Sequence, residues 1–198
     1  RSGSLKKLPR PTRSSAIRRS GASTTSSVTP PLKEEPEAPA DLVIFAVKFG
    51  GLEKAMEEAA PLIDGHTVLL SVMNGVTSED LLAQRFGGDN VLLCTAQGMD
   101  ATRRGNDTRF SHTGNLWFGP RQAGQEAIAA AAADFMDRAG IAYELAEDMP
   151  LRLWRKLMMN VGINQTTAVY GTGYGGVKHP GEAQDVMVAA MRETKDVA

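Results

Sequence analysis

The chain has 198 residues, 42% of them hydrophobic, which gives room for one ordinary domain and part of a second around a buried core. A formal net charge of -1 gives no global attraction to nucleic acid or to a membrane surface, and no apolar run approaches bilayer-spanning length. The single cysteine, Cys94, excludes an internal disulfide, and with His66, His112 and His179 scattered without ligand spacing no metal site is expected.

Residues 1–27 are rich in Ser, Thr, Arg and Lys, hold no acidic residue and are nearly free of apolar ones, and Thr29 to Ala40 adds Pro and Glu. Such a composition cannot bury enough surface to offset its ordering entropy, so residues 1–40 are expected to form a disordered or atypical segment. Regular patterning begins at Asp41. The run Asp41 to Lys48 (DLVIFAVK) suits a strand covered on both faces of a parallel sheet. Gly51 to Ile63 reads as an amphipathic helix with Leu52, Met56, Ala59 and Ala60 on its apolar side. Thr67 to Val72 is the next strand, Ser78 to Phe86 the next helix, and Asn90 to Ala96 a further strand that buries Cys94. Alternation of this kind implies βαβ units with right-handed crossovers. Phe110 to Gly119 has hairpin features with Thr113-Gly114-Asn115 as the turn, Ala123 to Ala139 is a helix that Gly140 stops, and Ile141 to Leu145 is a last strand. From Met149 the pattern is helical, placing a domain boundary near Asp148 and dividing the chain into 1–40, 41–148 and 149–198.

The helical run from Leu151 to Asn164 carries polar groups where a core helix would be apolar. Lys156, Asn160 and Asn164 fall on one stripe at i, i+4, i+8, among Leu153, Leu157, Met158, Val161 and Ile163. A solvated helix face is one reading of that stripe. The other is a mostly buried cation with two amides that a ligand bearing carboxylate or carbonyl oxygens would partner. Lys48 closes the first strand and Asn74-Gly75 the second, so both belong to the strand ends where an open α/β sheet places ligands. Each alone suits a surface cation or a positive-φ turn. Gly171 to Gly176 (GTGYGG) looks like a phosphate loop but has no strand before it, so it reads as a helix stop and loop.

Taken together, Asp41 to Lys48, the Ser71 to Val76 turn (SVMNGV), His112-Thr113-Gly114 and Leu153 to Asn160 (LWRKLMMN) followed by Asn164 resemble the ketopantoate reductase family over roughly residues 28–198. The resemblance implies a Rossmann domain for NADPH, a helical C-terminal domain, an active site between them and reduction of 2-dehydropantoate to pantoate in coenzyme A synthesis. It implies Lys156 as the catalytic lysine, Asn160 and Asn164 as substrate-binding residues, and Asn74 and Lys48 as cofactor-binding residues at the strand ends. The family's opening strand and G-x-G-x-x-G loop do not precede Asp41, and Ala198 falls before the acidic residue and serine that complete the family's substrate site. The expected fold is therefore an incomplete Rossmann-like parallel sheet domain followed by the start of an all-helical domain. An uncovered sheet edge would favour instability or association, a homodimer included. Partners are then a small 2-keto acid, without nucleic acid or membrane, in a cytoplasmic, reducing compartment. A related reductase for another 2-keto acid and a non-catalytic interaction module are the alternatives.

Overall fold

The computed structural model of the protein describes residues 6–7 and 38–198. The segment 1–40, expected to be disordered or atypical, lies outside the described residues except for a two-residue strand β1 (Lys6–Lys7) and residues 38–40.

The centre of the molecule is a mixed sheet. Strand β2 (Leu42–Phe45) pairs in parallel with β3 (Val68–Ser71), and Leu69 of β3 bridges in parallel to Val91, at the start of the segment that continues into β4 (Leu93–Met99). On its other side β4 runs antiparallel to β7 (Thr113–Gly119), with Cys94 opposite Phe118 and Thr95 opposite Trp117, and β7 pairs in parallel with β8 (Tyr143–Leu145). The parallel character expected from strand and helix alternation thus holds for the first three strands and is interrupted at the β4/β7 pair. Strands β5 (Thr102–Arg104) and β6 (Asp107–Phe110) form a separate hairpin, to which β1 adds antiparallel.

Alternate residues of β3 face opposite layers, which is why the strand is buried throughout. Val68 and Leu70, with Leu92, Cys94 and Phe118, pack on Ala129, Ala132, Ala133 and Met136 of helix α3 (Glu126–Ala139). Leu69, with Phe45 and Val91, packs on Leu52 and Met56 of α1 (Leu52–Ala59) and on Leu82 of α2 (Ser78–Phe86). Helix α3 stops at Gly140, whose φ of 65° gives the left-handed cap that its sequence position predicts. Helix α1 is shorter than the amphipathic run, because the chain passes into a 3-10 turn at Ala60–Leu62 in which Pro61 has no N–H to continue the α ladder.

Two expectations are corrected. The 41–48 run is a shorter and less fully covered strand than expected: it closes at Phe45, and while Val43 and Phe45 pack toward α1 and Leu42 toward α3, Ile44 stays 38% exposed and, among the described residues, β2 pairs only with β3. The Thr113-Gly114-Asn115 segment is not a turn. It lies inside β7, where Gly114 (φ 70°) sits beside Gly98 (φ 76°) of β4 and kinks the paired strands; the hairpin turn is Gly105-Asn106, between β5 and β6.

From Met149 onward every element is helical: α4 (Met149–Met159), a π-helical segment Asn160–Gln165, α5 (Thr166–Val169), a 3-10 turn Tyr174–Val177 and α6 (Glu182–Val197). No helix among the described residues is long and apolar enough to cross a membrane.

Candidate functional site

Helix α4 is fixed at its start and along one face. The Asp148 carboxylate accepts the backbone N–H of Leu151 at 3.0 Å, satisfying a donor that the first turn leaves open, and Pro150 fits the same turn. Met149 and Leu153 are buried against Leu93, with Trp117 and Ala146 packed around them, which docks the helix on the outer end of β4. One turn further on, Lys156 reaches over β4 and its Nζ donates to the Ala96 carbonyl oxygen at 2.7 Å. Burial of the ammonium lowers the Lys156 pKa below its ordinary value.

Beyond Met159 the helix widens into the π-helical segment, so the stripe predicted on a regular α-helix is carried across a change of helix type. Gly162 in that segment has no Cβ to keep α6 away: a Cβ there would run into the Met191 side chain. The stripe also lies in a more open setting than its apolar neighbours suggest, with Lys156 and Asn160 half-buried and Asn164 exposed. Asn164 Nδ2 donates to Asn160 Oδ1 at 3.2 Å, and Tyr174 Oη donates to Asn164 Oδ1 at 2.8 Å.

These groups line a cleft of about 1000 Å³ between the strand ends and α4. Its sheet side is Val72 and Asn74 after β3 and Ala96 to Met99 on β4. Its helical side is Leu151, Arg152, Arg155, Lys156, Met159, Asn160, Ile163 and Asn164, closed by Tyr174, and Leu145 to Asp148, with the carboxylates of Glu147 and Asp148, complete the lining. The guanidinium of Arg152 stacks over Trp117 at 5.0 Å from the ring centre. Asn74, Lys156, Asn160 and Asn164 are thus brought together as the sequence predicts. Lys48 is not: it is exposed in extended backbone after β2 and lies outside the lining.

The loop that carries Asn74 is closed at its base. Ser71 Oγ and Ser78 Oγ lie 2.8 Å apart, Ser78 Oγ donates to Glu79 Oε2 at 2.7 Å, and Ser71 Oγ accepts the Met73 N–H at 3.4 Å. Glu79 is 3% exposed, and burial raises its carboxyl pKa. Sequence reading missed Glu79 and Tyr174. Glu79 stands in a helix first turn, where an acidic residue is unremarkable, and Tyr174 stands in the glycine-rich loop read as a stop.

The chemistry of this wall is one-sided. The ammonium of Lys156 and the guanidinium groups of Arg152 and Arg155 only donate, and each amide oxygen already accepts one hydrogen bond, so the helical face is richer in N–H donors than in acceptors, the lining carboxylates being Glu147 and Asp148 before α4. Such a wall suits a ligand rich in carbonyl, carboxylate or hydroxyl oxygens.

Comparison with known proteins identifies the family. The family model described as ketopantoate reductase PanE/ApbA matches residues 8–123, and its C-terminal counterpart matches residues 148–198. The first match begins inside the segment that composition sets apart. A 2-dehydropantoate 2-reductase of Lactococcus lactis is 23% identical over 80% of this chain and 51% of its own length; one of Vibrio cholerae is 27% identical over 80% and 53%. A solved ternary structure of D-mandelate dehydrogenase with NADH and anilino(oxo)acetate shares the fold at a TM-score of 0.75 and 21% identity, covering 83% of this chain and 53% of that one. The chain spans about half the length of the curated relatives it matches. With both parts of the family's pattern matched across most of its residues, this chain belongs to the ketopantoate reductase PanE/ApbA family.

Proposed function

We propose that this chain carries the lysine and amide wall of a nicotinamide-dependent 2-keto acid reductase, with 2-dehydropantoate reduced to pantoate and NADPH as the hydride donor. The observation that carries this reading is Lys156, anchored through Ala96 with its remaining N–H groups directed to a cleft whose other polar wall is Asn160, Asn164 and Asn74. When bound, the nicotinamide supplies the hydride. The residues present fit such a group at one end: the cleft lies at the carboxyl ends of β3 and β4, where Asn74 and Gln97 line it with polar residues. Lys48, at the end of β2, is assigned to the cofactor on the resemblance alone.

The roles follow from charge. Negative charge develops on the keto oxygen as a ketone is reduced, and a fixed ammonium stabilises it without reorganisation. A lysine pKa lowered by burial also gives up its proton more readily, so Lys156 serves as the proton donor, while Asn160 and Asn164 hold the acid's hydroxyl and carboxylate side. A second substrate has a specific observation behind it: the fold is shared with a D-mandelate dehydrogenase, so another 2-keto acid is the alternative.

The test is titration of the purified chain with NADPH and NADH by calorimetry, followed by turnover assays on 2-dehydropantoate and a panel of 2-keto acids. Binding near micromolar, about -8 kcal/mol, with oxidation of NADPH dependent on 2-dehydropantoate, is the expected result. Turnover of another acid at higher kcat/KM would replace the substrate. A folded chain that binds neither nucleotide would overturn the reductase reading for this polypeptide.

A further inference from the structure

Tyr174 lines the cleft, is 62% exposed, and belongs to none of the roles assigned above. We infer that Tyr174 is a positioning residue, whose hydroxyl sets the orientation of the Asn164 and Asn160 amides so that N–H groups face the ligand; this rests on the reductase reading for the identity of that ligand.

The argument follows donors along the chain of contacts. An asparagine amide can present either its oxygen or its NH2 to a cleft, and rotation about its last bond exchanges them. Tyr174 Oη donates to Asn164 Oδ1 at 2.8 Å, which holds the Asn164 oxygen toward the tyrosine and leaves its Nδ2 facing back along the helix. That Nδ2 donates to Asn160 Oδ1 at 3.2 Å, which fixes the second amide in the same sense. Among the described residues nothing accepts from Asn160 Nδ2, so its N–H groups are left for the cleft, one turn from the Lys156 ammonium. Without the tyrosine hydroxyl either amide can turn its oxygen toward the ligand, where it would repel a carboxylate or a developing oxyanion.

The loop is built to hold this side chain. Gly171, at φ 60°, turns the chain out of α5, the Thr172 N–H donates to the Thr167 carbonyl at 3.0 Å, and the Gly176 N–H donates to the Gly173 carbonyl at 2.9 Å. A Cβ at Gly176 would collide with the Thr172 side chain, so the glycine lets the turn close around Tyr174. The glycines of this run serve that closure and require no phosphate.

Tyr174→Phe keeps the ring and removes the hydroxyl. In the chain with Asn160 and Asn164 intact, KM for the keto acid is expected to rise about tenfold, as loss of one hydrogen bond to a charged ligand's site implies, with NADPH affinity and the unfolding midpoint unchanged. In an Asn164→Leu background the same substitution is expected to change KM by less than about twofold, because the group through which it acts is gone. An equal rise in both backgrounds, or none in the first, would overturn the inference. A second measurement does not need turnover: the side-chain NH2 resonances of Asn160 and Asn164 in the free protein are expected to move on Tyr174→Phe. Unmoved resonances would reject the orienting role even if the chain proves an active reductase, and shifted resonances in an inactive chain would uphold it while the substrate assignment fails.

Discussion

Lys156 Nζ and the carbonyl oxygen of Ala96 are 2.7 Å apart, a contact between residues 60 positions apart in the chain that joins the first turns of the helical region to β4 just past its buried stretch. The bond uses one of the ammonium's three protons and leaves two on a residue that lines the cleft. On the proposed reductase reading, Lys156→Ala is expected to lower turnover by about 10²- to 10⁴-fold, the range for loss of a general acid. NADPH affinity should change by no more than about twofold, since the lysine stands with the amides on the helical wall. Steady-state kinetics beside nucleotide titration measures both. Unchanged turnover would remove Lys156 from the chemistry.

The lowered Lys156 pKa has consequences of opposite sign for rate and for stability. If the ammonium is the proton donor, kcat/KM falls as pH rises through the native pKa, and burial puts that limb below the ordinary lysine value of 10.5. Between the native and unfolded pKa values the unfolded chain holds more protons on this residue, so its contribution to stability rises with pH across the same window. The check is a pH profile of kcat/KM for the unaltered protein and for Lys156→Arg. The alkaline limb is expected in the first and absent in the second, because a guanidinium does not titrate there. A limb shared by both proteins would assign it to another group.

Residues whose environment is set by local pattern were legible in the sequence. The Ser78–Phe86 helix, the buried β3 strand, Cys94 and the Gly140 stop all follow from periodicity or from a glycine cap. The placing of Lys156, Asn160 and Asn164 along one side of the cleft was legible too, because the i, i+4 spacing keeps them on one side even where the α-helix passes into the π-helical segment, whereas their more open setting was not. What depended on neighbours distant in sequence was not. The antiparallel β4/β7 pair was hidden because Gly98 and Gly114 lie 16 positions apart, and the turn chemistry of Thr113-Gly114-Asn115 offered a local explanation for a glycine whose need is cross-strand. The π-helical segment leaves no mark in a hydrophobic period, and Tyr174 enters the cleft only because its loop folds back over the helix.

The two glycines of the kink carry different constraints, which makes them a matched pair. Both have positive φ, so an alanine at either position takes a strained backbone, costing about 1 kcal/mol or more. At Gly98 the added methyl would sit 3.7 Å from the Gly114 Cα, an ordinary contact. At Gly114 it would collide with the Gln97 carbonyl oxygen and lie 2.9 Å from the Met99 nitrogen, both backbone atoms that cannot step aside. Gly114→Ala is therefore expected to destabilise by about 3 kcal/mol and Gly98→Ala by about 1 to 2, read from urea midpoints. Because 97–99 of β4 also line the cleft, Gly114→Ala should weaken the proposed nucleotide binding while Gly98→Ala leaves that end of the strand in place. Equal costs would mean that the strands relax around the added methyl.

Thr95 and Trp117 face each other across β4 and β7, and among the described residues neither Thr95 Oγ1 nor Trp117 Nε1 has a hydrogen-bond partner although both atoms are buried. A buried hydroxyl without a partner has lost its hydration and gained nothing in return. Thr95→Val replaces that hydroxyl with a methyl of nearly the same shape, so the expected result is no loss, or a gain of up to about 1 kcal/mol. Trp117→Phe also removes an orphan donor, but it leaves a gap beside Met149 and Leu153, where α4 docks, and removes the ring over which Arg152 stacks. That change is expected to cost about 1 to 3 kcal/mol and to loosen the helix that carries Lys156. The contrast separates the orphaned polar atom from the packing around it. Destabilisation by Thr95→Val of more than about 1 kcal/mol would show that the hydroxyl has a partner in solution, with a buried water between Thr95 and Trp117 the arrangement that satisfies both atoms.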